Sequence, residues 1–268
     1  MLDACAEVMT AAAQSREMTL DGQLDFFGLG GADEQNFEKP IPSREEFPAD
    51  QLLAFEHEAL GMYLSGHPTD ELVPFAKADR CVSIAQLAAE HERTEGADEG
   101  KAAKIVAMVA SRRALKTKKG DMMCFVQVED KSSDMEIIVF PEMYRAASGV
   151  LQDGAVVHIS GKISGREDEK PKIIADCILP AEQYISRCEK RDVCIRARQS
   201  DSGMLDELKV FAAKNAAESG SRLIIYFEDT KRKTSLRETP FIHLDKQVLT
   251  GLMQLAGEDN VAFMEKKQ

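Results

Sequence analysis

The chain has 268 residues, 44% of them hydrophobic and 30% charged, with a formal net charge of −12; that is the composition of folded domains, with room for two or three of them. No apolar run reaches the roughly 18–20 residues of a membrane span, and the first twenty residues lack the basic-then-apolar layout of a secretory leader, so a cytoplasmic protein with no membrane partner is expected. Six cysteines (Cys5, Cys81, Cys124, Cys177, Cys188, Cys194) form no CxxC pair, and five histidines show no metal-ligand spacing, so reduced thiols and no metal site are expected.

Residues 2–18, "LDACAEVMTAAAQSREM", are alanine-rich and helix-forming. Residues 19–50 carry glycines, prolines and many acids, and read as a linker without a packed element. Helical period returns over 51–66, "QLLAFEHEALGMYLSG", with Gly66 suited to the helix end and Pro68 stopping further winding. Thr69 is the expected N-cap of a short turn, residues 82–90 another short helix, and "HERTEGADEGKAA" (91–103) a polar hinge. Residues 1–100 hold 6 basic against 21 acidic residues. The acidity of the chain therefore belongs to this part and does not oppose nucleic-acid binding further on.

From residue 104 the period changes to two. Strands are expected in "KIVAMVASRR", "MMCFVQVED", "MEIIVF", "AVVHISGKI" and "KIIADCIL", with one helix from Pro141 between the third and fourth. Five strands with a helix at that place is the order of an OB-fold, a small Greek-key barrel. Past Pro180 the pattern becomes β-α-β-β-α-β: "VCIRAR", a helix over 203–218 closed by Gly220, "SRLIIYFED", "TSLRE", the helix "DKQVLTGLMQLAG" and "NVAFM". The expected fold is multidomain: a helical N-terminal segment, an all-β OB-fold barrel, then a small α+β module.

Two stretches carry candidate chemistry. Arg112, Arg113, Lys116, Lys118 and Lys119 cluster about the connection between the first two strands, the loop that with the strand 2–3 face meets single strands in OB-folds. Alternation turns Cys124, Val126 and Val128 inward and Met123, Phe125 and Gln127 outward, with Phe125 as a base-stacking platform. The other reading is a solvated lysine loop with Phe125 packed under a neighbour. Glu167, Asp168 and Glu169 would repel phosphate if they sit near that face. The second stretch is "QLDFF", Gln23, Leu24, Asp25, Phe26 and Phe27, on the linker. Its apolar side chains are worth roughly 1.5–3 kcal/mol each on burial, against an ordering cost of about 2–5 kcal/mol, so alone it docks weakly. Two readings stay open on chemistry: a docking peptide, or two rings that pin the linker to its own helices. The basic run Lys231–Lys233 reads as a solvated hairpin tip. His57, His67, His158 and His243 have no evident catalytic partners, and no catalytic site is expected.

"FEHEALGMYLSGHP" (55–68) resembles a signature of the α subunits of bacterial DNA polymerase III, and "KIVAMVASRRALKTKKGDMMCFVQVEDKSSDMEIIVFPEMY" through "GKI" resembles the OB domain that follows it there. "GQLDFFG" stands where that family carries its internal clamp-binding peptide, with Phe26 where leucine is commoner. The resemblance implies a C-terminal portion of a replicative DNA-directed DNA polymerase (a nucleotidyltransferase). Its parts would be 1–18 as the end of the fingers and helix-hairpin-helix region, 19–50 as a linker with the clamp peptide, 51–100 as a helical connector, 101–180 as the nucleic-acid-binding barrel, and 181–268 as the module that binds the τ subunit of the clamp loader. The partners it implies are single-stranded DNA, the sliding clamp (β subunit) and τ. The palm carboxylates lie outside this stretch, so no cofactor is expected here, whereas the parent polymerase would use Mg. The rival reading is a free-standing OB-fold module for single-stranded DNA or tRNA.

Overall fold

In a computed structural model, residues 9–10, 46–165, 170–236, 239 and 241–264 are described. Gln23–Phe27 and Glu167–Glu169 lie outside them. The chain divides into two units, 1–63 and 64–268. In the first, helix α1 (Ala49–Leu60) ends at Gly61, whose φ of +70° lets its N–H reach back to the His57 carbonyl. The helix thus stops five residues before Gly66, because an earlier glycine already offers the left-handed cap. Phe47 packs edge-on to Phe55 with ring centroids 5.3 Å apart, and His57 stacks on Tyr63 at 4.7 Å.

The second unit opens with a 3-10 turn, Pro68–Glu71, capped by His67 rather than Thr69. A residue before proline is driven to extended backbone, and His67 at φ −133°, ψ 143° is so placed. Its Nδ1 accepts the Thr69 N–H at 3.2 Å while Asp70 Oδ2 accepts the His67 N–H at 2.9 Å. Helix α2 (Val73–Ala78) follows, then α3 (Ile84–Arg93), begun by a Ser83–Gln86 capping box. Two further α3 N–H groups donate to the turn at 130–133, Ile84 to Asp130 (2.8 Å) and Ala85 to Ser132 (3.1 Å).

The hinge expected over 91–103 is a fixed element. α3 runs through His91, whose Nδ1 meets Asp98 Oδ1 at 2.5 Å with both residues buried, and Gly100 N–H donates to Ile163 in the barrel at 2.8 Å. A polar stretch reads as solvated in sequence; here His91 Nδ1 and Asp98 Oδ1 pair with one another out of water, while His91 Nε2 and Asp98 Oδ2 are buried without a hydrogen-bond partner among the described residues.

The barrel comprises β1 (Ala102–Lys116), β2 (Met122–Glu129), β3 (Asp134–Val139), helix α4 (Pro141–Ala147), β4 (Val156–Ser164) and β5 (Lys172–Pro180). It closes in the order β1-β2-β3-β5-β4, with only the β3–β5 pairing parallel. This is the OB-fold. β1 is long because it serves two partners: Ala102–Met108 pairs with β4, Met108–Lys116 with β2, and a register shift between Val109 and Ser111 bends it. Cys124, Val126 and Val128 are fully buried in the barrel core with Ile137, Ile159 and Ile173, as alternation required. Gly161 sits at a second register shift, and a Cβ there would lie 2.0 Å from the Ile174 carbonyl oxygen; closure demands glycine.

Beyond the barrel come α5 (Ala181–Cys188), β6 (Val193–Ala197), α6 (Ser202–Lys214), β7 (Ala216–Ser221), β8 (Leu223–Phe227), β9 (Arg232–Ser235), α7 (Lys246–Ala256), a 3-10 turn (Glu258–Asn260) and β10 (Val261–Phe263). The sheet order is β10-β6-β8-β9, with β6 and β8 parallel. The β-α-β-β-α-β core is present, with α5 and β7 added to it. The helix expected over 203–218 ends at Lys214, since residues from Ala216 bridge to Ile242. Of the basic run, Lys231 sits in the β8–β9 hairpin turn at φ +54°, as expected, while Arg232 and Lys233 continue onto the exposed edge strand β9, where lysine discourages edge-to-edge pairing. Leu72, Phe75 and Ala78, which precede the barrel, join the core of this last module with Tyr184, Val193 and Leu252.

Candidate nucleic-acid interface

The outer face of β1, β2 and β3 is set by register. Arg113 pairs with Phe125 and Phe125 with Ile138, so the three stand in one row on one face. The Arg113 guanidinium carbon lies 5.7 Å from the Phe125 ring centroid, a cation–π contact. The next row holds Leu115 and Met123. The hairpin between β1 and β2 is closed by Thr117 N–H to Asp121 (2.8 Å) and Gly120 N–H to Thr117 (2.9 Å), with Gly120 at φ +93°. It carries Lys116, Lys118 and Lys119, all exposed. An aromatic ring, a guanidinium beside it and three ammonium groups at the hairpin can stack a base and neutralise its phosphates.

Two of the expected residues are committed elsewhere. Arg112 pairs with inward-facing Val126, and its Nη1 donates to the Ser148 carbonyl at 3.4 Å, at the C-terminal end of α4, where a cation suits the helix dipole. Gln127 lies on the outer face, but its side-chain amide donates to Asp134 at 2.7 Å. Glu136 on the same face pairs with Lys172 at 2.7 Å. The basic end of the face is therefore the hairpin end. Exposed Leu115, Met122 and Phe140 (40%, 43% and 47%) were missed in sequence. Alternation carried through the hairpin would have pointed to Leu115, and Phe140 directly before the helix-opening Pro141 was the other signal.

A second polar assembly joins the segment before the barrel, the barrel and the last module. Asp79, 6% exposed, caps α2, and its Oδ1 accepts from Arg191 and from Lys104 (3.1 Å). Its Oδ2 accepts from the Tyr184 hydroxyl at 3.4 Å and lies 3.7 Å from His158 Nε2. Tyr184 stacks on His158 with centroids 4.2 Å apart and planes 7° from parallel. Burial works to raise the Asp79 carboxyl, but Arg191 and Lys104 outweigh it and hold it below the usual range. Burial pushes the Cys81 thiol up to about 12 and Cys188 to about 11. Asp79, Cys81 and His158 bring donor atoms within 4.8 Å of one another, a juxtaposition that sequence spacing did not show. The two cations already on Asp79 oppose a third, and the protonated thiol offers no charge to a metal.

Burial pushes His158 down to about 4, opposed by Asp79 and assisted by Lys104, Arg187 and Arg191. An unfolded histidine titrates near 6.5, so between these values the unfolded chain takes up the proton that the folded chain refuses. The stability His158 contributes is full above about pH 6.5 and is lost as pH falls through about 4, amounting to about 3 kcal/mol at 1.36 kcal/mol per pH unit. Denaturant melts at pH 7 and pH 4 should therefore differ by about 3 kcal/mol less in His158→Gln than in the natural chain; equal differences would refute this.

The fold and this face define a class, an OB-fold nucleic-acid-binding domain. The family of that description matches residues 103–181. The chain is related to the DNA polymerase III α subunits, as a C-terminal portion of one would be. It is 30% identical to that of Bacillus subtilis over 223 residues, 82% of this chain and 19% of the relative, and 25% identical to that of Halalkalibacterium halodurans over 237 residues, 87% of this chain and 20% of the relative. The chain thus spans about a fifth of the length of these curated relatives. Among solved structures it is similar to a domain of replication protein A from Methanococcus maripaludis (TM-score 0.27, 14% identity, 31% of this chain and 86% of that one). A second similar structure is the second single-stranded DNA-binding protein of Mycobacterium smegmatis (TM-score 0.29, 14% identity, 31% and 91%).

Proposed function

We propose that this chain is the C-terminal portion of a DNA polymerase III α subunit, and that its barrel holds single-stranded template DNA on the face of Arg113 and Phe125. The observation that supports the reading is the single row of Arg113 and Phe125 beside the Lys116–Lys119 hairpin. Phe125 stacks a base, Arg113 sits between base and backbone, and Lys116, Lys118 and Lys119 take phosphates. With three to five phosphate contacts the log–log salt slope of binding is about −2 to −3.5. Neutralising Lys116, Lys118 and Lys119 together should bring it about 2 closer to zero, by fluorescence anisotropy on a thymidine oligonucleotide. A slope already near zero in the natural chain would exclude this mode.

In the same reading, Gln23–Phe27 docks on the sliding clamp and residues 181–268 on τ. Each contact is modest, and their linkage raises the effective concentration of the next. The helical segments before the barrel act as connector, and the parent polymerase supplies the Mg-dependent chemistry. Clamp retention in a pull-down should fall at least roughly tenfold when Phe26 and Phe27 are both replaced by alanine, since each buried ring is worth more than about 1.4 kcal/mol. Unchanged retention would favour a free-standing single-strand module.

A further inference from the structure

We infer that a second cleft, between the outer surface of β4 and helix α5, binds a phosphate group. The cleft encloses about 890 Å3 and is lined by Lys104, Arg187, Lys190 and Arg191 against Asp79 and Glu182. Four cations against two acids leave it positive in a chain whose formal charge is −12, and concave walls concentrate that field. Asp79 is shared by Lys104 and Arg191. No described acid lies within ion-pair distance of Arg187 or Lys190, which project into solvent from the end of α5 and just beyond it. Ser160, Ser186 and Gln183 supply neutral donors around the same opening.

A second observation comes from the wall itself. His158, 5% exposed, lines the cleft, and neither ring nitrogen has a hydrogen-bond partner. Such a group is expensive to bury. The groups that face it are Asp79, Tyr184, Lys104, Arg187 and Arg191. Burial above all, assisted by the three cations, keeps the imidazole neutral; a phosphate that neutralises those cations removes their share of the repulsion and gives the unpartnered ring a nearby acceptor. The cleft is separate from the Phe125 face, and the inference does not depend on it. The phosphate has two possible sources: a free ligand such as pyrophosphate, or the backbone of a nucleic acid.

The test titrates pyrophosphate and a thymidine oligonucleotide separately into the full chain at low salt, read by calorimetry and by the His158 imidazole resonance. Pyrophosphate should bind in the millimolar range or tighter and shift that resonance. Arg187→Gln with Lys190→Gln should weaken binding roughly tenfold or more, the loss of two charge-assisted contacts, while Arg187→Lys with Lys190→Arg retains it. If pyrophosphate is inert and only the oligonucleotide shows this loss and shift, the phosphate is a backbone one. The Lys116→Gln, Lys118→Gln, Lys119→Gln variant keeps the pyrophosphate response, which separates failure of the Phe125 face from failure of the cleft. The inference is overturned if neither ligand moves the His158 resonance, or if the double glutamine variant, melting at the same temperature, binds both as tightly as the natural chain.

Discussion

Asp79→Asn will lower the unfolding free energy of the 64–268 unit by about 3 kcal/mol, the low end of what breaking a buried ion pair costs. Asparagine keeps the shape and removes the charge. Arg191, with a side chain 19% exposed, is then left among Tyr184, His158 and the ring of Phe263, 4.9 Å from its guanidinium carbon. Lys104, 38% exposed, turns to water and softens the loss, so the higher end of the range is not reached. For a unit of this size the melting temperature should fall by roughly 6–12 °C. Because Asp79 joins Lys104 of β1 to Arg191 beyond α5, the barrel and the last module should lose stability together, in one transition seen by calorimetry. A melting temperature within about 2 °C of the natural chain would show that the assembly is decoration. Arg191→Met added to Asp79→Asn should restore part of the loss by removing the stranded cation.

Phe125→Ala should weaken binding of single-stranded DNA about 5- to 150-fold, the roughly 1–3 kcal/mol of one stacked base. Its signature differs from that of the lysines. A ring carries no charge, so affinity falls at every salt concentration while the log–log slope stays the same. Phe125 is half-buried on the outer face, not in the barrel core, so the variant should remain folded. The row of Phe125, Arg113 and Ile138 makes a specific corollary: Arg113 loses the ring beneath its guanidinium. Arg113→Gln in the alanine background should then cost less affinity than Arg113→Gln alone. Equal affinities of the natural chain and Phe125→Ala would remove the stacking role.

The barrel was legible because its strands alternate and one helix opens with proline at a telling place. Cys124, Val126 and Val128 faced inward as the period required, and Pro141 opened α4. Local chemistry also misled. Gly66 looked like a helix end, yet Gly61 took that role first. Residues 91–100 looked solvated because polarity does not reveal that His91 and Asp98 are partners seven residues apart. On the binding face, sequence placed Phe125 and the lysines on one surface but could not show that Arg112 turns to the end of α4 or that Asp134 holds Gln127. The least legible feature was the Asp79 assembly. Its members, Asp79, Lys104, His158, Tyr184 and Arg191, span more than a hundred residues, and only the closure of the barrel against α5 brings them together.

The most direct test of the Phe125 face is photocrosslinking of a bromodeoxyuridine-substituted single strand to the full chain, with the adducts located by peptide mass spectrometry. Adducts on Phe125 and within residues 113–125, lost in Phe125→Ala and suppressed by salt, are the predicted result. At saturating oligonucleotide, adducts confined to other surfaces, or a crosslink that survives Phe125→Ala unchanged, would contradict it.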